Sequence, residues 1–175
     1  MGMVNITLKD GDKREVMENT TVDALCRELS MGLYRAACAA KIDGRVVDLR
    51  TPLTGDCTLE ILTFDSDEGN KAFWHTASHV MAQAVKRLYP DVKLAIGPAI
   101  DSGFYYDFDA AETFTMEDLG KIEAEMKKIV KESLPLERFT LSRAEALDKM
   151  RDEPYKAELI NDLPEDAELS FYQQG

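Results

Sequence analysis

The sequence predicts an α+β chain built from two segments, and three observations carry that prediction. The first 63 residues alternate as short strands around a single helical stretch. A polar run, Asp65 to Asn70, follows. Beyond it, long helical periodicities are interleaved with short β-prone runs. The chain has 175 residues, with 45% hydrophobic and 31% charged side chains, a balance that favours burial of a core over disorder.

Residues 3–9 alternate apolar and polar positions as a half-buried strand does. Asp10-Gly11-Asp12 then supplies a tight turn into a second strand around Arg14 to Met17. Thr20 or Thr21 can cap a helix whose Val22, Leu25, Cys26 and Leu29 follow helical spacing, and Gly32 is expected to end it. Ala36 to Ile42, the Asp43-Gly44 turn, Val46 to Leu49 and Thr58 to Phe64 complete a run of strands. Two strands, one helix and further strands suit a β-grasp, in which one helix covers the apolar face of a mixed sheet.

After the polar stretch, read as a linker over residues 64–70, helical periodicity runs from Lys71 to Leu88 and stops before Pro90. A second helix spans about Thr115 to Ser133, with Thr115 and Asp118 as a capping pair. Ser142 with Glu145 repeats that signature for a third, and Pro154 suits the first turn of a fourth through Ile160. Val92 to Ile96, Phe104 to Phe108 and Leu136 to Leu141 are the strand candidates between them.

Charge and cysteine usage bound the function. Residues 1–63 carry 8 basic and 10 acidic side chains, which leaves 13 and 23 for residues 64–175. The overall net charge of -12 argues against a broad nucleic-acid surface, so any RNA contact must be local. Cys26, Cys38 and Cys57 are odd in number and lack metal-type spacing, as reduced thiols would be. No apolar run nears the roughly 20 residues that span a bilayer, and no secretory leader opens the chain, so a cytoplasmic location and no membrane partner are expected.

The only two histidines, His75 and His79, lie four residues apart and share one face of the Lys71–Leu88 helix. At about 100° per residue, the stripe Phe73, Trp74, Ala77, Val80, Met81, Ala84 and Leu88 spans roughly 120°, and both imidazoles lie about 160° from its centre. Ala72, Ser78, Ala82 and Gln83 flank them, with Lys86 a turn further on. Small residues beside two imidazoles suggest the floor of a cleft, although a pair of solvated histidines is the plainer alternative. Two imidazoles can share a metal, but zinc takes three or four protein ligands, and no Glu follows His75 as in the zincin pattern.

Two resemblances sharpen this reading. Ile42-Asp43-Gly44-Arg45-Val46-Val47-Asp48-Leu49, Thr51-Pro52-Leu53 and Cys57-Thr58-Leu59-Glu60-Ile61-Leu62 resemble a TGS domain, the ubiquitin-like module of threonyl-tRNA synthetases. His75-Thr76-Ala77-Ser78-His79, the stretch Leu94 to Asp109 with Gly97-Pro98 and Phe104-Tyr105-Tyr106-Asp107, and Tyr155-Lys156 resemble the second domain of the same family. The resemblance implies a TGS domain at 1–63 and the first part of a threonyl/alanyl-type editing domain at 71–175. It places His75, His79, Tyr106 and Lys156 in a site that hydrolyses mischarged seryl-tRNA. By the same resemblance, a C-x-x-x-H motif completing that cleft falls shortly beyond Gly175. Zinc is possible at His75 and His79 but incomplete there. ATP, magnesium, a catalytic zinc, tRNA(Thr) and a homodimer belong to the synthetase core outside these residues. A noncatalytic RNA- or protein-binding module, or a free-standing tRNA deacylase, is the alternative.

Overall fold

The computed structural model describes residues 2–174 and divides into two compact units. One runs up to His75 and includes Ile100–Gly103; the other comprises Thr76–Ala99 and Phe104 onward.

In the first unit the alternation of residues 3–8 becomes strand β1 (Met3–Leu8), with Val4 and Ile6 buried, paired antiparallel with β2 (Lys13–Met17) across the Asp10-Gly11-Asp12 turn. After β3 (Thr20–Thr21) come α1 (Val22–Leu29), α2 (Met31–Ala36), β4 (Ala37–Ile42), β5 (Arg45–Val47), β6 (Pro52–Leu53) and β7 (Cys57–Thr63). The main sheet has the order β2-β1-β7-β4-β5, with β1 and β7 parallel and the other pairs antiparallel. Val22, Leu25 and Cys26 of α1 are buried together with Val4, Ile6, Val16, Ala40, Leu53 and Leu59, which is the one-helix-on-a-sheet core expected of a β-grasp. Asp43 and Gly44 both take positive φ, 49° and 80°, and close the β4–β5 hairpin with the mirror-image turn that matches strand twist. The Asp43 carboxylate accepts from the N–H and hydroxyl of Thr58, which locks the turn to β7 and lowers its pKa.

Two local expectations need correction. Gly32 does not end the first helix: α1 stops at Leu29, and Ser30 accepts a hydrogen bond from Leu33 N–H to start α2, which contains Gly32. Thr21 stands at the N-cap of α1 without capping it, because its hydroxyl donates to Asp23 instead.

The helix expected at Lys71 begins earlier, at Asp67, and runs to Leu88 as α3. Only Phe64, Asp65 and Ser66 lie between β7 and α3, held by Ser66 N–H and Oγ donating to Thr63 O. Phe73 is not an inward residue: it is 46% exposed and packs edge-on against Phe64 and Trp74.

Along the chain, α3 is followed by β8 (Lys93–Leu94), β9 (Ala99–Ile100), β10 (Gly103–Phe104), β11 (Phe108–Asp109), α4 (Met116–Glu132), β12 (Leu136–Leu141), α5 (Arg143–Lys149), α6 (Pro154–Asp162) and β13 (Leu169–Gln174). Val80, Ala84 and Val85 of α3 bury against Ile122 and Ile129 of α4 and Val92. Arg87 of α3 clamps the same pair through Glu125 and Glu132. Capping boxes at Thr115/Asp118 and Ser142/Glu145 start α4 and α5 as their sequences require. β12 pairs antiparallel with β13, a strand absent from the sequence reading, and Leu169 joins Ala146 of α5 and Ile160 of α6 in a small core. The Arg143 guanidinium donates to the carbonyls of Ile160, Leu163 and Pro164 and so closes the C-terminal end of α6. Among the described residues no helix is long and apolar enough to cross a membrane.

Candidate functional site

Along α3 two lines of residues are buried. Val80, Ala84 and the half-buried Leu88 face α4, as the apolar spacing requires. Ser78 and Ala82 form a second line next to the histidines. Their small side chains allow close packing where a solvated helix face would carry long charged residues. His75 and His79 are exposed, one turn apart on the same helical face. A turn beyond His79, Gln83 donates Nε2 to the carbonyl of Gln174 at 3.2 Å, so the end of β13 lies against this helix. The Gln83 Oε1 is buried without a hydrogen-bond partner. A further turn on, Lys86 donates to the carbonyls of Pro90 and Val92 and pairs with Glu153 at 2.6 Å.

The segment expected as one strand from Phe104 to Phe108 is two short strands with an irregular stretch between, yet its side chains still alternate. Tyr105 is 53% exposed, while Tyr106 turns inward and stacks on Phe108 with ring centroids 4.9 Å apart. Gly97 makes room for that ring: a Cβ at Gly97 would lie 2.0 Å from Tyr106 Cδ2. The backbone between them is fixed by Ala95 N–H to Asp107 O and Asp107 N–H to Ile96 O.

Lys156 meets Tyr106 from α6. Its ammonium donates to the phenol oxygen at 3.3 Å and lies 5.6 Å from the ring centroid. The structure therefore brings together Tyr106 and Lys156, fifty residues apart. Burial pushes the Lys156 ammonium below the ordinary lysine value, opposed by the charge of Glu153. Burial raises the Tyr106 phenol, with Glu153 adding to the effect, so at neutral pH it remains a hydroxyl. Because Lys156 donates to the phenol oxygen, the hydroxyl proton of Tyr106 is left to donate elsewhere.

Glu153 and Gly97 are the residues whose roles the sequence reading missed. An acidic residue before Pro154 reads as an ordinary helix start, and Gly97-Pro98 reads as an ordinary turn. Nothing local in either pattern points to Lys86 or to the Tyr106 ring.

Two imidazoles offer only part of the coordination that zinc takes. Among the described residues no group of three or more His, Cys, Asp or Glu side chains could hold a metal ion. The residues present do not fit a complete zinc site. Cys26, Cys38 and Cys57 are free thiols in the first unit, and Cys26 is fully buried.

Comparison with known proteins agrees with the resemblance to a TGS domain and with the likeness to threonyl-tRNA synthetases beyond it. Residues 4–63 match the family model of the TGS domain. The chain is 59% identical over 175 residues to the threonine–tRNA ligase of Acetivibrio thermocellus and 57% identical over 175 residues to that of Clostridium acetobutylicum, 99% of this chain in each case. It spans about 28% of the length of these curated relatives. The threonine–tRNA ligase of Caldanaerobacter subterraneus is 56% identical over 172 residues. The TGS match over residues 4–63 and the similarity over 99% of the chain together make these residues similar to a part of the threonine–tRNA ligases, a TGS domain included.

Proposed function

We propose that this chain is the editing portion of a threonine–tRNA ligase, acting on tRNA(Thr) wrongly charged with serine, within a longer protein that charges that tRNA with threonine using ATP. The observation that carries the reading is the meeting of Lys156 and Tyr106 at 3.3 Å in a half-buried nook of the second unit. The residues that the family resemblance assigns to one site contribute a cation and a hydroxyl donor there.

The need for a second site follows from chemistry. A synthetic site that recognises threonine through its hydroxyl also admits serine, which lacks one methyl, and a methyl-sized difference discriminates by only about 10- to 200-fold. A hydrolytic pocket sized for serine rejects threonine by bulk. Ester cleavage then requires a placed water, charge stabilisation at the carbonyl oxygen and a proton for the departing ribose oxygen. Lys156 supplies positive charge, the Tyr106 hydroxyl supplies a hydrogen bond, and His75 and His79 orient water or substrate. Support for the remaining half comes from β13. The Gln174 carbonyl sits on Gln83, one turn from His79, and the family resemblance expects its C-x-x-x-H motif shortly after this position in sequence.

The test compares hydrolysis of seryl-tRNA(Thr) by this chain and by one extended through the next Cys/His motif, each with His75→Ala and Lys156→Ala. The extended chain is expected to hydrolyse the ester, the 175-residue chain poorly, and Lys156→Ala to lose on the order of 10²-fold. Equal activity in both lengths would mean that the second half of the site was misassigned. No hydrolysis at either length, with RNA association weakened in the variants, would favour a noncatalytic binding module.

A further inference from the structure

Glu153 occupies the N-cap position of α6, yet its side chain makes no capping hydrogen bond to that helix. Both carboxylate oxygens point elsewhere. Oε1 takes the Lys86 ammonium of α3 at 2.6 Å, and Oε2 accepts the Leu94 N–H of β8 at 3.0 Å. Its carbonyl meanwhile accepts the Lys156 backbone N–H at 3.0 Å, so the residue that grips α3 and β8 also fixes the turn bearing Lys156. Two neighbours reinforce the clamp: Lys93 donates to Asp152 O, and Tyr155 donates to Asp109 of β11. The first turn of α6 is thus tied to three other elements.

We propose that Glu153 is a positioning residue for the site, holding the Lys156-bearing turn against α3 and β8 and setting a carboxylate one helical turn before the Lys156 ammonium as its counter-charge. The inference rests on the editing reading for its consequence in catalysis, but not for its physical content. Lys156 meets Tyr106 across from it and has Glu153 on its own turn, and the charged groups of the ties just described are Lys86 of α3, Lys93 of β8 and Asp109 of β11. α3 also carries His75 and His79. Burial on its own would raise the Glu153 carboxyl. The hydrogen bonds from Lys86 and Leu94 N–H, with the charges of Lys86 and Lys93, outweigh it and keep Glu153 ionised at neutral pH.

The sign of one titration separates this role from simple scaffolding. Glu153→Gln keeps the shape of the side chain and removes the charge, so the Lys156 ammonium loses its counter-charge and its pKa falls further. If Glu153 only held structure, its loss would loosen the nook, let water reach Lys156 and move the pKa up towards that of free lysine. The measurement is a ¹³Cε-lysine NMR titration of this chain, with the Lys156 signal assigned through Lys156→Arg. Lys86→Met is the second variant: removing the cation that shares Glu153 is expected to raise the Lys156 pKa. It keeps the test informative if Glu153→Gln does not fold. A Lys156 titration unmoved or raised in Glu153→Gln, or unmoved in Lys86→Met where only that variant folds, overturns the proposal. In the extended chain the alkaline limb of seryl-tRNA hydrolysis should move to lower pH in Glu153→Gln. Full hydrolysis by Lys156→Ala, with the NMR shifts as expected, would sink the editing reading and leave the Glu153 assignment standing.

Discussion

Replacing Gly97 by Ala tests whether the Tyr106 ring is held where the site needs it. The added Cβ would lie 2.0 Å from Cδ2, 2.4 Å from Cε2 and 2.8 Å from Cγ of Tyr106. To reach ordinary contact at 3.4 Å, the ring or the backbone must withdraw by about 1.4 Å. The ring has little freedom, since Phe108 stacks on it at 4.9 Å and the backbone of the next residue, Asp107, is hydrogen-bonded to residues 95 and 96. The Lys156 hydrogen bond, already 3.3 Å long, does not survive a displacement of that size. Overpacking of this kind costs about 1–3 kcal/mol, and each kcal/mol lowers Tm by about 2–4 °C for a chain of this length. The assay is urea and thermal unfolding of Gly97→Ala, Tyr106→Ala and the double variant, with seryl-tRNA hydrolysis measured in the extended chain. The double variant should be no less stable than Tyr106→Ala alone, because without the ring the methyl has nothing to strike. A Gly97→Ala protein within about 0.5 kcal/mol of the parent and fully active would refute the reasoning.

Other positions give independent checks. Gly69→Ala would put a Cβ 2.0 Å from the Thr63 carbonyl oxygen, where backbone and not a flexible side chain must give way; a loss of about 1–3 kcal/mol is expected, read as a lower urea midpoint. The Asp118 carboxyl is held at about 2, against an ordinary 3.8, by the Thr115 hydroxyl and N–H and then by Tyr89 OH. Its contribution to stability is therefore complete above about pH 4 and is lost as pH falls towards 2. In Thr115→Ala, a plot of Tm against pH should be flatter over that window, and an unchanged slope would contradict this. Zinc or a chelator should leave the Tm of this chain unchanged, since two imidazoles make an incomplete site; a rise of several degrees with zinc would mean that a ligand has been overlooked.

Much of the fold was legible because its determinants are local. The β12 range, Leu136–Leu141, and the capping boxes of α4 and α5 follow from side chains a few residues apart. The sequence reading failed where a local signal had two meanings. Gly32 resembles a helix terminator, but Ser30 two residues earlier had already ended one helix and capped the next. β13 was missed because a strand is stabilised by its partner, and the register Leu141↔Leu169 joins residues 28 apart that no short window compares.

The same division runs through the site. The shared face of His75 and His79 and the opposite facing of Tyr105 and Tyr106 are periodicities, three to four residues on a helix and two on an extended segment, so the sequence displays them directly, whereas the choice of Tyr106 came from the resemblance. Lys156 has no such signal, since one lysine in an exposed-looking helix is indistinguishable from its neighbours until α6 is docked. What docks α6 is a set of contacts at long range: Glu153 to Lys86 and Leu94, and Tyr155 to Asp109. Each of those residues taken alone suits an ordinary surface, and only the closed network gives Lys156 a half-buried setting and a counter-charge. A substitution at Glu153 should therefore disturb the lysine more than its modest sequence context suggests, because the setting it maintains is a property of three elements and not of its own helix.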